Sequence, residues 1–203
     1  MTDCLPATMN VMDAIYGRRS VRSYTGDLLD RSVVRSLLDA AVRAPTAMHA
    51  EPWMFVVVQD GRLLEQLSDR AKAAWAAEAR RFQDLHRTKG EGPAGGFADR
   101  MASPGFSVFY DAGTLIVICG RAREPFAAAD CWLAAENLML AATALGLGTC
   151  CIGSAVSMLN ESDIKATLRI PPDVTAVAPI IVGVPKGVTP SVPRKPPEIL
   201  YWT

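Results

Sequence analysis

Hydrophobic positions along this 203-residue chain follow two patterns: helical stripes with spacings of three and four, and unbroken apolar runs of strand length. Val33, Val34, Leu37, Leu38, Ala41 and Val42 form one stripe, with Asp30 where an N-cap belongs and Pro45 to end it. A shorter stripe of Val11, Met12, Ile15 and Tyr16 follows Asn10, another capping residue, and Gly17 is placed to terminate it. The alanine-rich stretch 62–82 lacks Gly and Pro and carries Leu63, Leu64, Leu67, Ala71 and Trp75 at helical spacing, which predicts a long helix. Another is predicted from Glu124-Pro125 to about Leu145, where the small side chains of Ala127, Ala128, Ala129, Ala134, Ala135, Ala141, Ala142 and Ala144 permit close packing. Ser162 starts a last short helix through Leu168, before Pro171-Pro172.

The continuous runs predict buried strands over 53–58, 114–119, 149–152 and 174–184, with Gln59-Asp60-Gly61 as a turn and Gly120 as a stop. Strands and helices do not alternate regularly, and no strand is followed by GxGxxG or a Walker lysine motif. The pattern therefore predicts one α+β domain spanning 1–203 rather than a doubly wound parallel sheet. Two segments fall outside it. Residues 89–105 hold Gly90, Gly92, Pro93, Gly95, Gly96, Pro104 and Gly105, which reads as a mobile substrate cover or a plain connector. The tail 185–203 carries Pro185, Pro190, Pro193, Pro196 and Pro197 and is expected to be an extended arm. Residues 137–160 lack charge and are long enough to span a bilayer, but Gly146, Gly148, Gly153 and Ser154 break them into a buried helix, a turn and a strand.

Composition narrows the chemistry. Half of the residues are hydrophobic and 21 basic side chains balance 21 acidic ones, so a real core is available and general nucleic-acid binding is disfavoured. Positive charge is nonetheless concentrated in Arg18-Arg19-Ser20-Val21-Arg22, just past a predicted helix end. Such a cluster is either solvated surface or a site for one small anion, for which guanidinium forks and a serine hydroxyl are well suited. Five cysteines without CxxC spacing and only two histidines, His49 and His86, argue for reduced buried thiols and against a metal centre. Asp3, Pro6 and Asn10 interrupt the opening segment before any signal-like apolar stretch, giving a cytoplasmic expectation with no membrane or nucleic-acid partner.

Four segments carry a resemblance to the nitroreductase superfamily of FMN-dependent oxidoreductases. They are Arg18-Arg19-Ser20-Val21-Arg22; Ala44-Pro45-Thr46-Ala47-Met48-His49-Ala50-Glu51-Pro52-Trp53; Ala142-Thr143-Ala144-Leu145-Gly146-Leu147-Gly148-Thr149-Cys150-Cys151-Ile152-Gly153; and Pro179 to Pro185 followed by Pro193-Arg194-Lys195-Pro196. Their order spans nearly the whole chain. The resemblance implies a central, mostly antiparallel sheet flanked by helices, and FMN sites at a homodimer interface. It implies that Arg18, Arg19 and Ser20 hold the phosphate and ribityl region with Arg194 and Lys195, while Arg22 approaches the pyrimidine edge; for Arg19 and Arg22 a surface ion pair is the alternative. Pro45, Thr46 and Ala47 would lie along the flavin of the partner subunit. His49 stands where the family commonly has Asn, and is either a flavin contact or a structural histidine. Glu51 replaces a frequent Gln, and Trp53 reads as core. Cys151, Ile152 and Gly153 would lie against the ring, with a backbone N–H near flavin N5. Cys150 and Cys151 point to opposite faces of a strand, which argues against a redox dithiol.

The implied activity is ping-pong hydride transfer through flavin N5, from NADH or NADPH to a nitroaromatic, quinone or related electron-poor small molecule. The cofactor carries the chemistry, so no catalytic protein residue is expected. The same fold also admits a dehalogenase, a dehydrogenase, a flavin-fragmenting enzyme or a non-catalytic flavin-binding sensor.

Overall fold

The computed structural model describes residues 9–86 and 96–203, with side chains described for 9–78 and 96–203. Cys4 and residues 89–95 of the expected cover lie outside the described residues, as does the side chain of His86. In chain order the helices are α1 (Val11–Gly17), α2 (Arg31–Ala41), α3 (Gly61–His86), α4 (Phe97–Ala102), α5 (Ala127–Ala144), α6 (Val156–Leu159) and α7 (Ser162–Thr167). The strands are β1 (Trp53–Val58), β2 (Thr114–Arg121), β3 (Gly148–Cys151) and β4 (Val174–Gly183). They form one sheet in the order β1-β2-β4-β3, every neighbouring pair antiparallel. This is the α+β arrangement expected.

The apolar runs are continuous because the sheet is covered on both faces. Leu115, Val117 and Cys119 of β2 enter one core, whereas Ile116 and Ile118 enter the other. On β4, Val174 and Ala176 belong to the first core, but Ala178, Ile180 and Val182 belong to the second. A shift in register causes that exchange: Ile118 pairs with Ala178 and Cys119 with Ala176, so Val177 is the extra residue of a bulge. Asn160, just beyond α6, stabilises the bulge by donating from Nδ2 to the Ala176 carbonyl at 2.9 Å and accepting the Ala176 N–H at Oδ1 at 3.0 Å. Helices α2 and α5 cover the second face, and the region of α3, α6 and the 104–112 loop covers the first. Ala134, Ala135 and Ala142 of α5 are fully buried, which lets the helix lie close to the sheet and to α2.

Several boundaries move. Asn10 caps α1 as expected, its Oδ1 accepting the Asp13 N–H at 3.0 Å. The Gln59-Asp60-Gly61 exit is a helix entry, because Asp60 Oδ1 accepts the Leu63 N–H at 2.8 Å and α3 begins at Gly61. β2 continues through Gly120 to Arg121, since Gly120 still pairs with Thr175. α5 begins at Ala127 rather than Glu124, after a turn in which Ala127 N–H reaches the Glu124 carbonyl. Part of the 89–105 stretch is helical: α4 is held by an edge-on contact of Phe97 with Trp75 at 5.6 Å. Residues 137–160 resolve into the end of α5, β3 and a turn into α6, and no helix among the described residues is long and apolar enough to cross a membrane.

Candidate active site

The basic segment after α1 is laid along the outer edge of β3. Ser20 forms a parallel bridge with Thr149, and the Val21 N–H reaches the Thr149 carbonyl at 2.9 Å. Gly148 permits that approach, because a Cβ there would stand 2.8 Å from the Val21 side chain. Tyr24, 6% exposed, locks the end of the segment by donating its hydroxyl hydrogen to the Val21 carbonyl at 2.9 Å.

The three guanidiniums then take different situations. Arg19 donates from Nη1 to the carbonyls of Tyr16 at 2.6 Å and Arg18 at 2.8 Å, so it closes the C-terminal end of α1. Arg18 pairs through Nε with Glu136 of α5 at 3.4 Å, a half-exposed contact that contributes no more than about 1 kcal/mol. Arg22 is exposed, and its one described bond is a long 3.5 Å contact to the Ser20 carbonyl.

Arg22 lines a cleft of about 430 Å³ together with Cys150, Cys151, Ile152, Gly153 and Ser154, so the first and third motifs meet at one surface. Trp75, Phe97, Phe106 and Tyr110 form the aromatic remainder of its wall, and Glu78 lies at the same cleft. A methyl added at Gly153 would meet nothing within 4 Å, leaving the backbone there open to a flat ligand. Neither these aromatic residues nor α4 carries a sequence signal for the site, and Trp75 reads only as a helix residue.

Cys150 and Cys151 pack into opposite cores, as alternation on a strand requires, and both are free thiols. Burial pushes the Cys151 thiol up to about 11. Burial likewise raises that of Cys150, against the opposing influence of Arg22, a Ser20 hydrogen bond and Arg18. Protonated thiols are poor nucleophiles and poor redox partners.

The second motif forms a tight turn, Ala47–His49, between α2 and β1. Met48, His49 and Glu51 all have positive φ, at 55°, 54° and 42°, an unusual cluster for residues other than glycine. The turn is anchored from α5: Asp130 Oδ1 accepts the Ala47 N–H at 3.3 Å. Asp130 is only 4% exposed, and its Oδ2 has no hydrogen-bond partner among the described residues. Sequence reasoning missed this residue, whose only local signal is an acid in a helix's first turn. Pro45 and His49 are exposed, Thr46 and Ala47 half-buried, and Trp53 packs against the second core. Arg194 and Lys195 lie on the exposed tail, and no described hydrogen bond or ion pair joins them to Arg18, Arg19 or Ser20.

The Nitroreductase family model matches residues 15–184. A putative NADH dehydrogenase/NAD(P)H nitroreductase of Archaeoglobus fulgidus is 27% identical over 177 residues, covering 85% of this chain and 83% of that protein. The 5,6-dimethylbenzimidazole synthase of Rhodospirillum rubrum is 31% identical over 189 residues, covering 89% and 85%. Among solved structures, a nitroreductase with bound FMN from Bacteroides fragilis matches with a TM-score of 0.78 at 26% identity, covering 97% of this chain and 100% of that one. With the family model spanning the α1 end, the strained turn, the cleft wall and the last strand alike, the chain belongs to the nitroreductase family.

Proposed function

We propose that this protein is an FMN-dependent oxidoreductase that takes electrons from NADH or NADPH and reduces an electron-poor aromatic or quinone. The observation that carries the reading is the meeting of Arg22 with the Cys150 to Ser154 wall in one open cleft. A flavin bound there would supply two-electron exchange between donor and acceptor. The chain's own task is to bind and orient. Ile152 and Gly153 offer main chain and an apolar surface to a flat ring, and Arg22 offers positive charge at the edge that becomes electron-rich. Arg18 can leave its weak pair with Glu136 for a phosphate, a stronger bidentate partner, with Ser20 as a neutral donor beside it. Arg19, committed to the carbonyls at the end of α1, supports that geometry and adds charge.

Homodimerisation belongs to the same proposal. α1 leaves Val11, Met12, Ile15 and Tyr16 exposed, α5 against it leaves Trp132 and Leu133 exposed, and the tail exposes Ile199, Leu200, Tyr201 and Trp202. Apolar surface on this scale favours a partner. In a dimer the turn at Pro45, Thr46, Ala47 and His49 would lie along the flavin of the other subunit, and Arg194 and Lys195 would be carried towards its phosphate.

The binding test is a titration of the protein with FMN and with riboflavin. FMN is expected to bind at least about tenfold more tightly, the phosphate contributing roughly 1.4 kcal/mol or more through charge-assisted hydrogen bonds. Equal affinities would remove the phosphate role, and no uptake of either would refute the flavin reading.

A further inference from the structure

A second, smaller cleft of about 230 Å³ adjoins the first, and Arg22, Phe106 and Tyr110 line both. Its floor is built by backbone. Thr25 N–H reaches the Val184 carbonyl at 3.1 Å, Tyr24 bridges Pro185, and Lys186 N–H reaches the Ser23 carbonyl at 2.9 Å. This short antiparallel contact fixes Lys186 beside the segment that carries Arg22, so two cations from distant parts of the chain line one cavity. Four described cations are held in ion pairs: Arg18 with Glu136, Arg70 with Glu161 and Asp163, Lys72 with Asp69, and Arg123 with Asp173. Arg22 and Lys186 have no ion-pair partner among the described residues. Among the described residues the lining includes one acid, Asp111, which forms an ion pair with neither, so the two cations against it leave a net positive cavity. Hydroxyl donors are present as well. Ser23 lines the cleft, and Ser107 Oγ accepts the Phe109 N–H at 3.2 Å while its own hydrogen is free to point elsewhere.

We propose that this cleft, built by Arg22, Ser23, Ser107 and Lys186, is a subsite for an oxyanion carried by the molecule that reacts in the adjoining cleft: the carboxylate of an aromatic acceptor, or a phosphate of the nicotinamide donor. The proposal rests on the flavin reading of the larger cleft. Phe106 and Tyr110, in edge-on contact at 5.3 Å, form the wall along which a planar molecule passes from one space to the other. Lys186 at its far end, with Arg22 where the two clefts join, would favour partners with an acidic group over uncharged ones of the same shape, which makes the subsite a determinant of specificity rather than of the redox step.

The test pairs binding with kinetics in the wild-type protein and in Lys186→Gln. Benzoate, inorganic phosphate and uncharged benzamide are titrated calorimetrically; initial rates of the FMN-loaded protein are compared for 4-nitrobenzoate against 4-nitrobenzamide, and for NADPH against NADH. The substitution is expected to weaken benzoate or phosphate binding by about threefold to tenfold, as loss of a solvent-exposed cation should. KM should rise equally for 4-nitrobenzoate if the acceptor brings the anion, or for NADPH over NADH if the donor does. Benzamide binding, kcat and flavin content should not change. Anion binding no tighter than benzamide binding, or a substitution effect equal for charged and uncharged partners, would overturn the subsite. A protein that takes up no FMN would be recognised in its visible spectrum; that would refute the flavin reading, and the calorimetric titrations would still decide whether the anion site exists.

Discussion

Replacing Asp130 with alanine should loosen a turn that lies well away from it in sequence, and flavin affinity should report the loss. In the folded protein Asp130 Oδ1 accepts the Ala47 N–H at 3.3 Å from a position 4% exposed. A hydrogen bond to a charged acceptor contributes about 1.5–3 kcal/mol, and an amide left without a partner costs a similar amount. Relief of the unpartnered Oδ2 offsets part of this, so a net destabilisation of about 1–2 kcal/mol is expected, seen as roughly a 2–8 °C fall in Tm for a chain of this size. The larger consequence is local. Met48, His49 and Glu51 hold left-handed backbone, at roughly 1 kcal/mol or more each, and the turn keeps that shape only while its surroundings impose it. Without the anchor the competent shape becomes a minor state, and apparent FMN affinity falls in proportion, by about tenfold for a population of one in ten. Asp130→Asn retains the acceptor and should recover most of the affinity. FMN titrations by fluorescence, with thermal melts of the same samples, make the measurement. A lower Tm with FMN affinity within twofold of wild type would show instead that Asp130 stabilises the fold without shaping the site.

Three further outcomes are expected. Arg18→Ala combined with Arg194→Ala should weaken FMN retention at least tenfold, measured by flavin recovered after gel filtration; unchanged retention would contradict the phosphate assignment. His49→Asn should preserve FMN binding and raise Tm slightly, since asparagine tolerates the φ of 54° better than histidine does; loss of turnover with flavin still bound would reveal contact with the substrate. Burial holds the thiols of Cys119 and Cys151 at about 11 and that of Cys131 at about 12, above the ordinary value of 9.0, so the folded protein binds more protons than the unfolded chain above pH 9. Their contribution is full below pH 9 and is lost as pH rises to about 12, so Tm should fall across that window, less steeply in Cys131→Ala than in wild type.

What could be read from the chain were the features decided locally. β1 needs only six apolar residues between Pro52 and the Asp60 cap, and α1 needs only Asn10 and a short stripe. Both faces of the sheet are buried, so its strands appear as uninterrupted runs, yet the same uniformity hides the bulge at Val177, which depends on Asn160 and on pairing with β2. α4 is invisible among glycines and prolines because its stability comes from Phe97 against Trp75 rather than from propensity. The motifs gave Arg22 and the Cys151 to Gly153 wall, but not the division of labour among the arginines, which depends on where Glu136 and the α1 carbonyls lie. Asp130 and Lys186 carry no local signal of their contacts for the same reason: each lies against a segment distant in sequence.

The proposed function requires that the cleft hold a flavin that a reduced nicotinamide can reach. Protein loaded with FMN and kept free of oxygen should lose the visible absorbance of oxidised flavin on addition of one equivalent of NADH or NADPH, and recover it on addition of a nitroaromatic or quinone. Bound flavin that neither donor bleaches would contradict nicotinamide-linked turnover and favour a flavin sensor or an enzyme that uses no nicotinamide.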